Sequence, residues 1–493
     1  MNACVNPALA LASGVLLVLL FPPFGFAWLA PLALTPIFIA CAREPLWKRR
    51  ALFGWAAGFL FWAGMCPWIQ FVLEVHGGMG RWGGWGSFLL FGLYKGLPMA
   101  VFAVLAGWLA NRWWSIPGGA ALWTGIERLH GYTGFAWLDL GNAGIGMPYP
   151  MRLAPITGVY GLTFVFALIA GAVASIALRR PRRELAWLAP LALLLLALPR
   201  LPRPAEPHEQ ALVVQPNFDT EAEWTDDVTA LAEQKLALLS RIDPGTPGRT
   251  SLLIWPEAPA PFYPNEPLFR RYVGHIAQDA QAHFLFGAVS FNQQHQPMNA
   301  AFMLDPTGAI EGEYDKVNLV PFGEFIPPMF EWVGRITHEV GDFVPGERVV
   351  DFKVDGHSVG AFICYEAVFP DFVRQFVHRG AQVLVNISND GYFGHSAAHE
   401  QHLLIARMRA AENRRWLIRA TNDGITAVID PRGRVMDRMA PFVQTSKLMA
   451  FDYESAETAY TRYGDWFAWG CLVAGVGLVT LGLLSPRPNG AER

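Results

Sequence analysis

Long apolar runs fill the first 200 positions, short apolar runs broken by charge occupy residues 206–460, and a last apolar run spans Trp466–Leu484. An apolar stretch of roughly 20 residues is what a membrane-crossing helix requires. The long runs therefore read as spans at Ala8–Phe21, Phe26–Ala42, Ala51–Leu73, Ser87–Ala110, Pro117–Leu129, Gly158–Leu178, Leu185–Pro199 and Trp466–Leu484. The expectation is an α-helical membrane bundle of about eight spans. The first two are short and parted only by Pro22-Pro-Phe-Gly25, and the fifth runs into Glu127 and Arg128.

After the proline-rich stretch Pro202–Pro207 the pattern changes period. Ala211–Val214, Leu252–Trp255, Phe284–Val289, Ala301–Leu304, Val359–Cys364, Val383–Ile387 and Ala427–Ile429 are short apolar runs that predict strands, several uncharged enough to be buried on both faces. Asp226–Ile242, Leu268–Ala282 and His399–Arg414 carry helical spacing. Thr307-Gly and Asp430-Pro-Arg-Gly predict hairpin turns. Alternation of this kind predicts an α/β domain with a largely buried mixed sheet and helices outside it. Three regions follow: residues 1–205 with about seven spans, a domain over 206–460, and 461–493 with the last span and a tail.

Composition agrees with the division. Of 493 residues 53% are hydrophobic and 16% charged, against about a quarter charged in soluble proteins. The net charge of −3 argues against nucleic acid as a partner. Charge placement sets orientation: Arg43, Lys48, Arg49 and Arg50 form one basic cluster and Arg179, Arg180, Arg182 and Arg183 another. Short basic loops stay cytoplasmic. One further crossing then puts 206–460 on the outer face, and the final span returns Arg487 and Arg493 to the inside. Arg200 and Arg203, on the exit side, run against this orientation.

The outward domain contains one cysteine, Cys364, at the end of the run Val359-Gly-Ala-Phe-Ile-Cys364. A thiol with a pKa of about 8.5 is little ionised at neutral pH and needs a base to become a good nucleophile. Glu257 follows Leu-Leu-Ile-Trp-Pro, and Lys316 lies in Tyr-Asp-Lys-Val-Asn-Leu-Val-Pro-Phe-Gly-Glu-Phe. A carboxylate at one strand end can take the thiol proton, and an ammonium at another can hold the oxyanion of a tetrahedral intermediate. Together the three can perform acyl transfer without a histidine. Taken singly, Glu257 and Lys316 are also what ordinary solvated side chains look like, and Cys364 a small buried hydrophobe.

Three other patterns compete for attention. Gly356-His-Ser-Val-Gly360 fits G-x-S-x-G, but Asp355-Gly356 reads as a turn with the strand after Ser358, the wrong order for a nucleophile elbow. Gly78-Met-Gly-Arg-Trp-Gly83 fits a dinucleotide fingerprint, yet it lies in an external loop between spans without a βαβ unit. His395, His399 and His402 lack metal-site spacing and read as solvated histidines at a helix start, with His402 able to shape a pocket. No metal and no dissociable cofactor is called for. Phe325–Pro345, rich in Phe, Pro, Met and Trp, reads either as a packed loop or as a mobile arm gating lipid access.

Trp-Pro-Glu257, Lys316 with Pro-Phe-Gly-Glu324, and Cys364-Tyr-Glu366 resemble the Glu–Lys–Cys triad of the nitrilase superfamily. Asn386-Ile-Ser-Asn-Asp-Gly-Tyr-Phe-Gly394, Gln401-His402 and Arg419-Ala-Thr-Asn-Asp-Gly424 continue the resemblance, while Thr133-Gly-Phe-Ala-Trp137 and Ala154-Pro-Ile-Thr-Gly-Val-Tyr-Gly161 resemble motifs of its membrane-bound branch, the apolipoprotein N-acyltransferases. The resemblance implies a four-layer αββα domain in a bacterial inner-membrane protein, with that domain on the periplasmic side. It also implies a phospholipid acyl donor, a thioester on Cys364, and a diacylated apolipoprotein acceptor. In that scheme Glu257 is the general base, Lys316 the oxyanion stabiliser, and Glu324 and Glu366 supporting carboxylates. Tyr365 lies beside the nucleophile and Trp224 lines the entrance. The same triad with water as acceptor would make a membrane-tethered amidase. A transporter or receptor with a non-catalytic nitrilase-like domain would have no need of all three residues.

Overall fold

A computed structural model describes residues 5–131, 134–204, 206–242, 250–321, 323–325 and 343–485. The described chain divides into two compact units. One comprises Met1–Pro67, Trp85–Leu201 and Asp465–Arg493, the other Trp68–Gly84 and Pro202–Gly464.

Every expected span contains helix, but several of the helices are shorter or more broken than the apolar runs. Among the described residues three are long and apolar enough to cross a membrane: Gly80–Leu109, Val159–Ala177 and Trp466–Leu484. A fourth candidate is Trp47–Met65 taken with Trp68–Glu74. The expected eight are therefore not all spans by length. Proline and glycine explain the shortfall: Pro22-Pro-Phe-Gly25 stops Val5–Leu19, and Pro67 ends the helix that began at Trp47. Leu188–Ala197 has only ten residues before Pro199.

Helices in this unit approach closely where side chains are missing. A Cβ on Gly58 would lie 2.9 Å from the Cα of Gly96, and one on Gly125 would lie 2.6 Å from the Cα of Leu472. Small residues at such crossings let backbones pack by van der Waals contact. Glu127 and Arg128, which end the expected fifth span, are both buried and partnered. Glu127 accepts from Leu140 N–H at 2.7 Å and from the Thr163 hydroxyl at 2.5 Å, while Arg128 pairs with Asp465.

The second unit is an α/β domain of two six-stranded sheets. Its strands are β1 (Glu209–Gln215), β2 (Thr250–Ile254), β3 (His283–Phe291), β4 (Pro297–Leu304), β5 (Ile310–Asp315), β6 (Asp351–Val354), β7 (His357–Ile363), β8 (Val383–Ser388), β9 (Leu417–Thr421), β10 (Ala427–Ile429), β11 (Val435–Arg438) and β12 (Thr445–Phe451). One sheet runs β12-β1-β2-β3-β4-β5 and the other β11-β10-β9-β8-β7-β6. β1, β2 and β3 are parallel, as are β7, β8 and β9, with antiparallel strands toward the edges.

Alternation along each strand divides the sheet faces. Leu212, Val214, Leu253, Phe284, Phe286, Ala300 and Phe302 point to one face of the first sheet, where Leu236 from the helix Asp226–Leu239 and Phe269 and Val273 from the helix Pro267–Ala280 close over them. Trp255 completes this layer, its indole N–H donating to the Ser240 hydroxyl at 2.8 Å. Each large side chain buried there contributes roughly 1.5–3 kcal/mol. The opposite face meets the second sheet, β1 lying against β9 and β4 against β7. Helices Pro370–His378 and Ala398–Asn413 cover the second sheet, with Val373 and Phe376 fully buried. Parallel strands buried on both faces present their carboxyl ends as the place for a site.

The turns behave as their residues dictate. Asp305 accepts the N–H groups of Thr307 and Ala309 in the β4–β5 hairpin, and Gly308 takes φ +86°. Asp430 does the same for Arg432 and Arg434 between β10 and β11. Ser358 sits inside β7 after the Asp355–Gly356 turn, so the G-x-S-x-G match has strand where a nucleophile elbow needs helix. The Gly78–Gly83 match is not the loop expected from sequence. Its second half opens the helix Gly80–Lys95 and a helical turn, Val72–His76, precedes it, so no βαβ unit is present. The expected arm Phe325–Pro345 and its Trp332 fall largely outside the described residues, as do Thr133, Arg487 and Arg493.

Candidate active site

Three strand ends and one loop converge. Glu257 follows β2, Lys316 is the first residue after β5, and Cys364 is the first after β7. All three are buried, Lys316 almost completely at 1% exposure. Lys316 Nζ donates to Glu257 Oε1 at 3.0 Å and to Glu324 Oε1 at 2.8 Å. Asn299, in β4, donates its amide to the same two oxygens at 2.7 Å each. The other oxygen of Glu257 accepts Asn389 N–H at 2.8 Å, and that of Glu324 accepts Val320 N–H at 2.8 Å. Two carboxylates are thus held on one ammonium, each oriented by a backbone N–H on its far side.

Main-chain contacts fix where Lys316 stands. Its N–H donates to the Asn299 carbonyl and its own carbonyl accepts from Gly346 N–H, both at 2.8 Å. Glu366 is fully buried. It accepts from Val317, Asn318 and Ile363 N–H groups at 2.8–3.0 Å and from the Tyr314 hydroxyl, tying the segment after Lys316 to the end of β7. Tyr365 is buried edge-on to Phe369. Trp224 is half-buried against Phe218, whose N–H and carbonyl are held by Asn422, and Asn422 in turn donates to Asn389.

Cys364 has φ +49°, a left-handed conformation that is costly for a residue with a Cβ. Its carbonyl explains how the strain is held, accepting from Asn386 Nδ2 at 3.5 Å and lying 3.2 Å from His402 Nε2. Arg419 Nη2 lies 3.0 Å from the other ring nitrogen of His402 and also grips Asp390 at 2.6 Å. Asp390 Oδ1 lies 3.1 Å from the same Nδ1, so the ring is set between the Arg419–Asp390 pair on one side and the Cys364 carbonyl on the other.

The domain over residues 211–455 matches the carbon-nitrogen hydrolase family, and residues 13–172 match the apolipoprotein N-acyltransferase N-terminal domain. The chain is 34% identical to an apolipoprotein N-acyltransferase of Geobacter metallireducens, over 96% of this chain and 94% of that protein. It is 31% identical to one of Methylococcus capsulatus, over 95% of each. The chain belongs to the apolipoprotein N-acyltransferase family. A solved structure of Saccharomyces cerevisiae Nit3, of the nitrilase superfamily, is similar over 49% of this chain and 89% of its own, at 17% identity and a TM-score of 0.39.

In this apolipoprotein N-acyltransferase family member the local charges have a definite sense. Burial alone would lower the Lys316 pKa, but Glu257 and Glu324 outweigh it and hold the ammonium well above its usual range. Burial, and after it the Glu257 carboxylate, raises the Cys364 thiol, while Lys316 opposes them. With two carboxylates on one ammonium the cluster is already net negative, so the resting nucleophile is a thiol and must lose its proton as it attacks. Burial pushes Glu366 up to about 7 against the pull of its N–H donors. Arg419 and His402 overcome burial and hold Asp390 well below the ordinary carboxylate range.

The histidines correct a sequence expectation. His395 is exposed, but His399 and His402 are buried and face Asp390, because the helix Ala398–Asn413 is buried on nearly every side, its polar residues included. Among the described residues no cluster of His, Cys, Asp and Glu could hold a metal. Asn299, Asn389, Asp390 and Arg419 are supporting residues to which sequence reasoning assigned no role, while His402, expected only to shape a pocket, holds the Cys364 carbonyl. The available signal was polar residues inside apolar runs, Val-Leu-Val-Asn-Ile-Ser-Asn-Asp390 and Leu-Ile-Arg-Ala-Thr421.

Gly287 supplies a test of how tightly Glu257 is placed. Its N–H donates to the Pro256 carbonyl at 3.2 Å, and a Cβ there would stand 2.6 Å from Ala258 N and 2.7 Å from Glu257 Cα. Gly287→Ala is expected to slow modification of Cys364 by at least about tenfold, since a displacement of about 1 Å in a site can cost on the order of a hundredfold. Overpacking should also cost about 1–3 kcal/mol of stability. Measured rates and melting temperature together check it; an unchanged rate would mean that the β2 end yields without moving the carboxylate.

Proposed function

We propose that this protein transfers a fatty acyl chain from a phospholipid to the N-terminal amino group of a diacylglyceryl-cysteine on an apolipoprotein, by way of a thioester on Cys364. The observation that carries the reading is Lys316 shared by Glu257 and Glu324, beside a buried thiol at the end of β7, in a chain whose relatives over nearly its full length are apolipoprotein N-acyltransferases. Their name supports a lipoprotein acceptor and a lipid donor.

In the first half-reaction the Cys364 sulfur attacks the ester carbonyl of the phospholipid while its proton passes to Glu257. Lys316 stabilises the oxyanion that forms. Collapse breaks the ester C–O bond, Glu257 returns the proton to the leaving alkoxide, and a lysophospholipid departs. In the second the lipoprotein amine attacks the thioester and Glu257 takes a proton from the nitrogen. The C–S bond breaks, the sulfur is reprotonated, and an amide remains. Glu324 keeps Lys316 charged throughout, and Glu366 ties the main chain after Lys316 to the end of β7 just before the nucleophile. Tyr365 flanks the sulfur, and Trp224 stands toward the entrance. Residues 1–205 and 461–493 anchor the enzyme in a bacterial inner membrane through about eight segments, with 206–460 as a four-layer domain on the periplasmic side. The basic clusters at Arg43–Arg50 and Arg179–Arg183 support that orientation.

Intact mass of the purified protein after incubation with phospholipid vesicles tests the reading. A gain of one fatty-acyl mass, discharged by a diacylated lipopeptide and retained in water, is the expected result. Discharge by water at the same rate would make the protein a hydrolase, and no adduct on the folded protein would remove the thioester mechanism.

A further inference from the structure

The Asp390–Phe393 turn holds the base, and a segment far from it in sequence holds the turn. The residue before the turn, Asn389, gives its N–H to Glu257 at 2.8 Å. On one side the turn is fastened by Asp390, which accepts from Arg419 and from the Ser388 hydroxyl. On the other side it meets Trp68–His76, which lies long before β1 in the chain yet belongs to the same compact unit as the two sheets.

The contacts run residue by residue. Trp68 packs edge-on to Phe393 with ring centroids 4.8 Å apart, and its indole N–H donates to Gln401 at 3.2 Å. Gln401 is buried and adjoins His402 on the helix Ala398–Asn413. Phe71 lies over Gly394, where a Cβ would stand 2.8 Å from the Phe71 ring; the left-handed φ of +54° at Gly394 closes the turn. His76 packs against Tyr392 at 4.7 Å and against Phe71 at 5.8 Å. Although half of Tyr392 is open to solvent, burial and then the charges of Glu257 and Glu324 push its hydroxyl up to about 12, as fits a ring at the rim of the site. Every residue from Tyr392 to Gly394 therefore has one aromatic neighbour from Trp68–His76. Edge-on ring pairs of this kind are directional and hold orientation as well as burying area.

We propose that Trp68, Phe71 and His76 are positioning residues for acyl transfer: they brace the Asp390–Phe393 turn so that Asn389 N–H stays on Glu257 and Tyr392 keeps its place at the rim. The proposal rests on the reading of Glu257 as the base that serves Cys364. Its consequence is that the end of the third expected span and the chain just after it are part of the catalytic apparatus, though they lie outside the region of β1–β12.

The test uses the full-length protein with His76→Ala, His76→Phe and Trp68→Phe. Two rates are read by intact mass: single-turnover acylation of Cys364 from phosphatidylethanolamine vesicles, and alkylation of Cys364 by iodoacetamide, which needs no lipid. His76→Ala is expected to slow acylation by about tenfold at saturating lipid, with the half-saturating lipid concentration and melting temperature unchanged. It should also slow alkylation, while His76→Phe restores both rates to within about twofold by keeping the ring. Trp68→Phe, which keeps the ring and loses the N–H, should fall between them. His76→Ala indistinguishable from the parent in both assays overturns the brace, as does equal slowing by His76→Ala and His76→Phe. A parent that is alkylated but never acylated refutes the phospholipid reaction instead, and the alkylation rates of the variants then still decide the brace.

Discussion

Cys364→Ala is expected to abolish acyl-enzyme formation entirely while the domain stays folded. The sulfur is the atom that would carry the acyl group. The fold should tolerate the change because Cys364 is a small side chain at a strand terminus, its carbonyl is held by Asn386 and His402, and the preceding Ile363 N–H by the Glu366 carboxylate. A second substitution makes the strain visible. Glycine ordinarily costs about 0.5–1 kcal/mol relative to alanine inside regular structure. At φ +49° the order should reverse, so Cys364→Gly is expected to melt at or above Cys364→Ala. Calorimetry of the two variants, beside the mass assay, checks both halves; glycine melting lower by its usual penalty would mean that the left-handed conformation stores nothing.

Glu257→Gln should give the next largest loss, about 10²–10⁴-fold in acyl-transfer rate, the usual contribution of a positioned base. All three neighbours of this carboxylate are donors: Lys316 and Asn299 on one oxygen, Asn389 N–H on the other. A glutamine can satisfy only one side with its carbonyl, and its NH2 must then face a donor on the other, so Gln is no silent isostere here. The sign of the effect on the thiol is opposite to the effect on turnover. Burial and the Glu257 carboxylate raise the thiol, and Lys316 lowers it. Removing the carboxylate takes away the largest charge that raises the thiol while Lys316 and the Ser388 hydrogen bond still lower it against burial and Asp390, which shifts ionisation of Cys364 to lower pH. The pH profile of iodoacetamide alkylation should therefore move down in Glu257→Gln even as acyl transfer collapses. A profile that moves up, or does not move, would show that Glu257 does not sense the sulfur.

The apolar runs marked the centre of the domain well and its margins poorly. Val383–Ile387 and Leu252–Trp255 are buried on both faces, so their composition alone announced strand. Ile310–Asp315 was illegible because Glu311 and Glu313 face outward while Tyr314 faces in, leaving too little apolar signal in six residues. Leu417–Thr421 hid behind Arg419, a guanidinium that reads as surface until Asp390 is found beside it. In the membrane-like region hydropathy located apolar segments but not helix ends. Pro67 and the Pro22–Gly25 stretch govern those, and neither changes average hydropathy much. For the site, residue types and spacing pointed to Glu257, Lys316 and Cys364. That Asn299 stands between Glu257 and Glu324, or that Trp68 reaches Phe393, depends on tertiary packing and has no counterpart in local pattern.

The pairing of β1 with β12 sets Glu209 opposite Phe451, so the chain enters and leaves the two-sheet body at neighbouring points, about 5 Å apart for paired residues. An insertion with adjacent ends imposes no separation on the chain that hosts it, and it can be gained or lost without pulling host helices apart. The body is in that sense a cassette: its ends could be joined by a short turn with every strand retained. Such an excised body would keep Glu257, Lys316 and Cys364 but leave Trp68, Phe71 and His76 behind, so modularity of architecture would not carry modularity of catalysis with it.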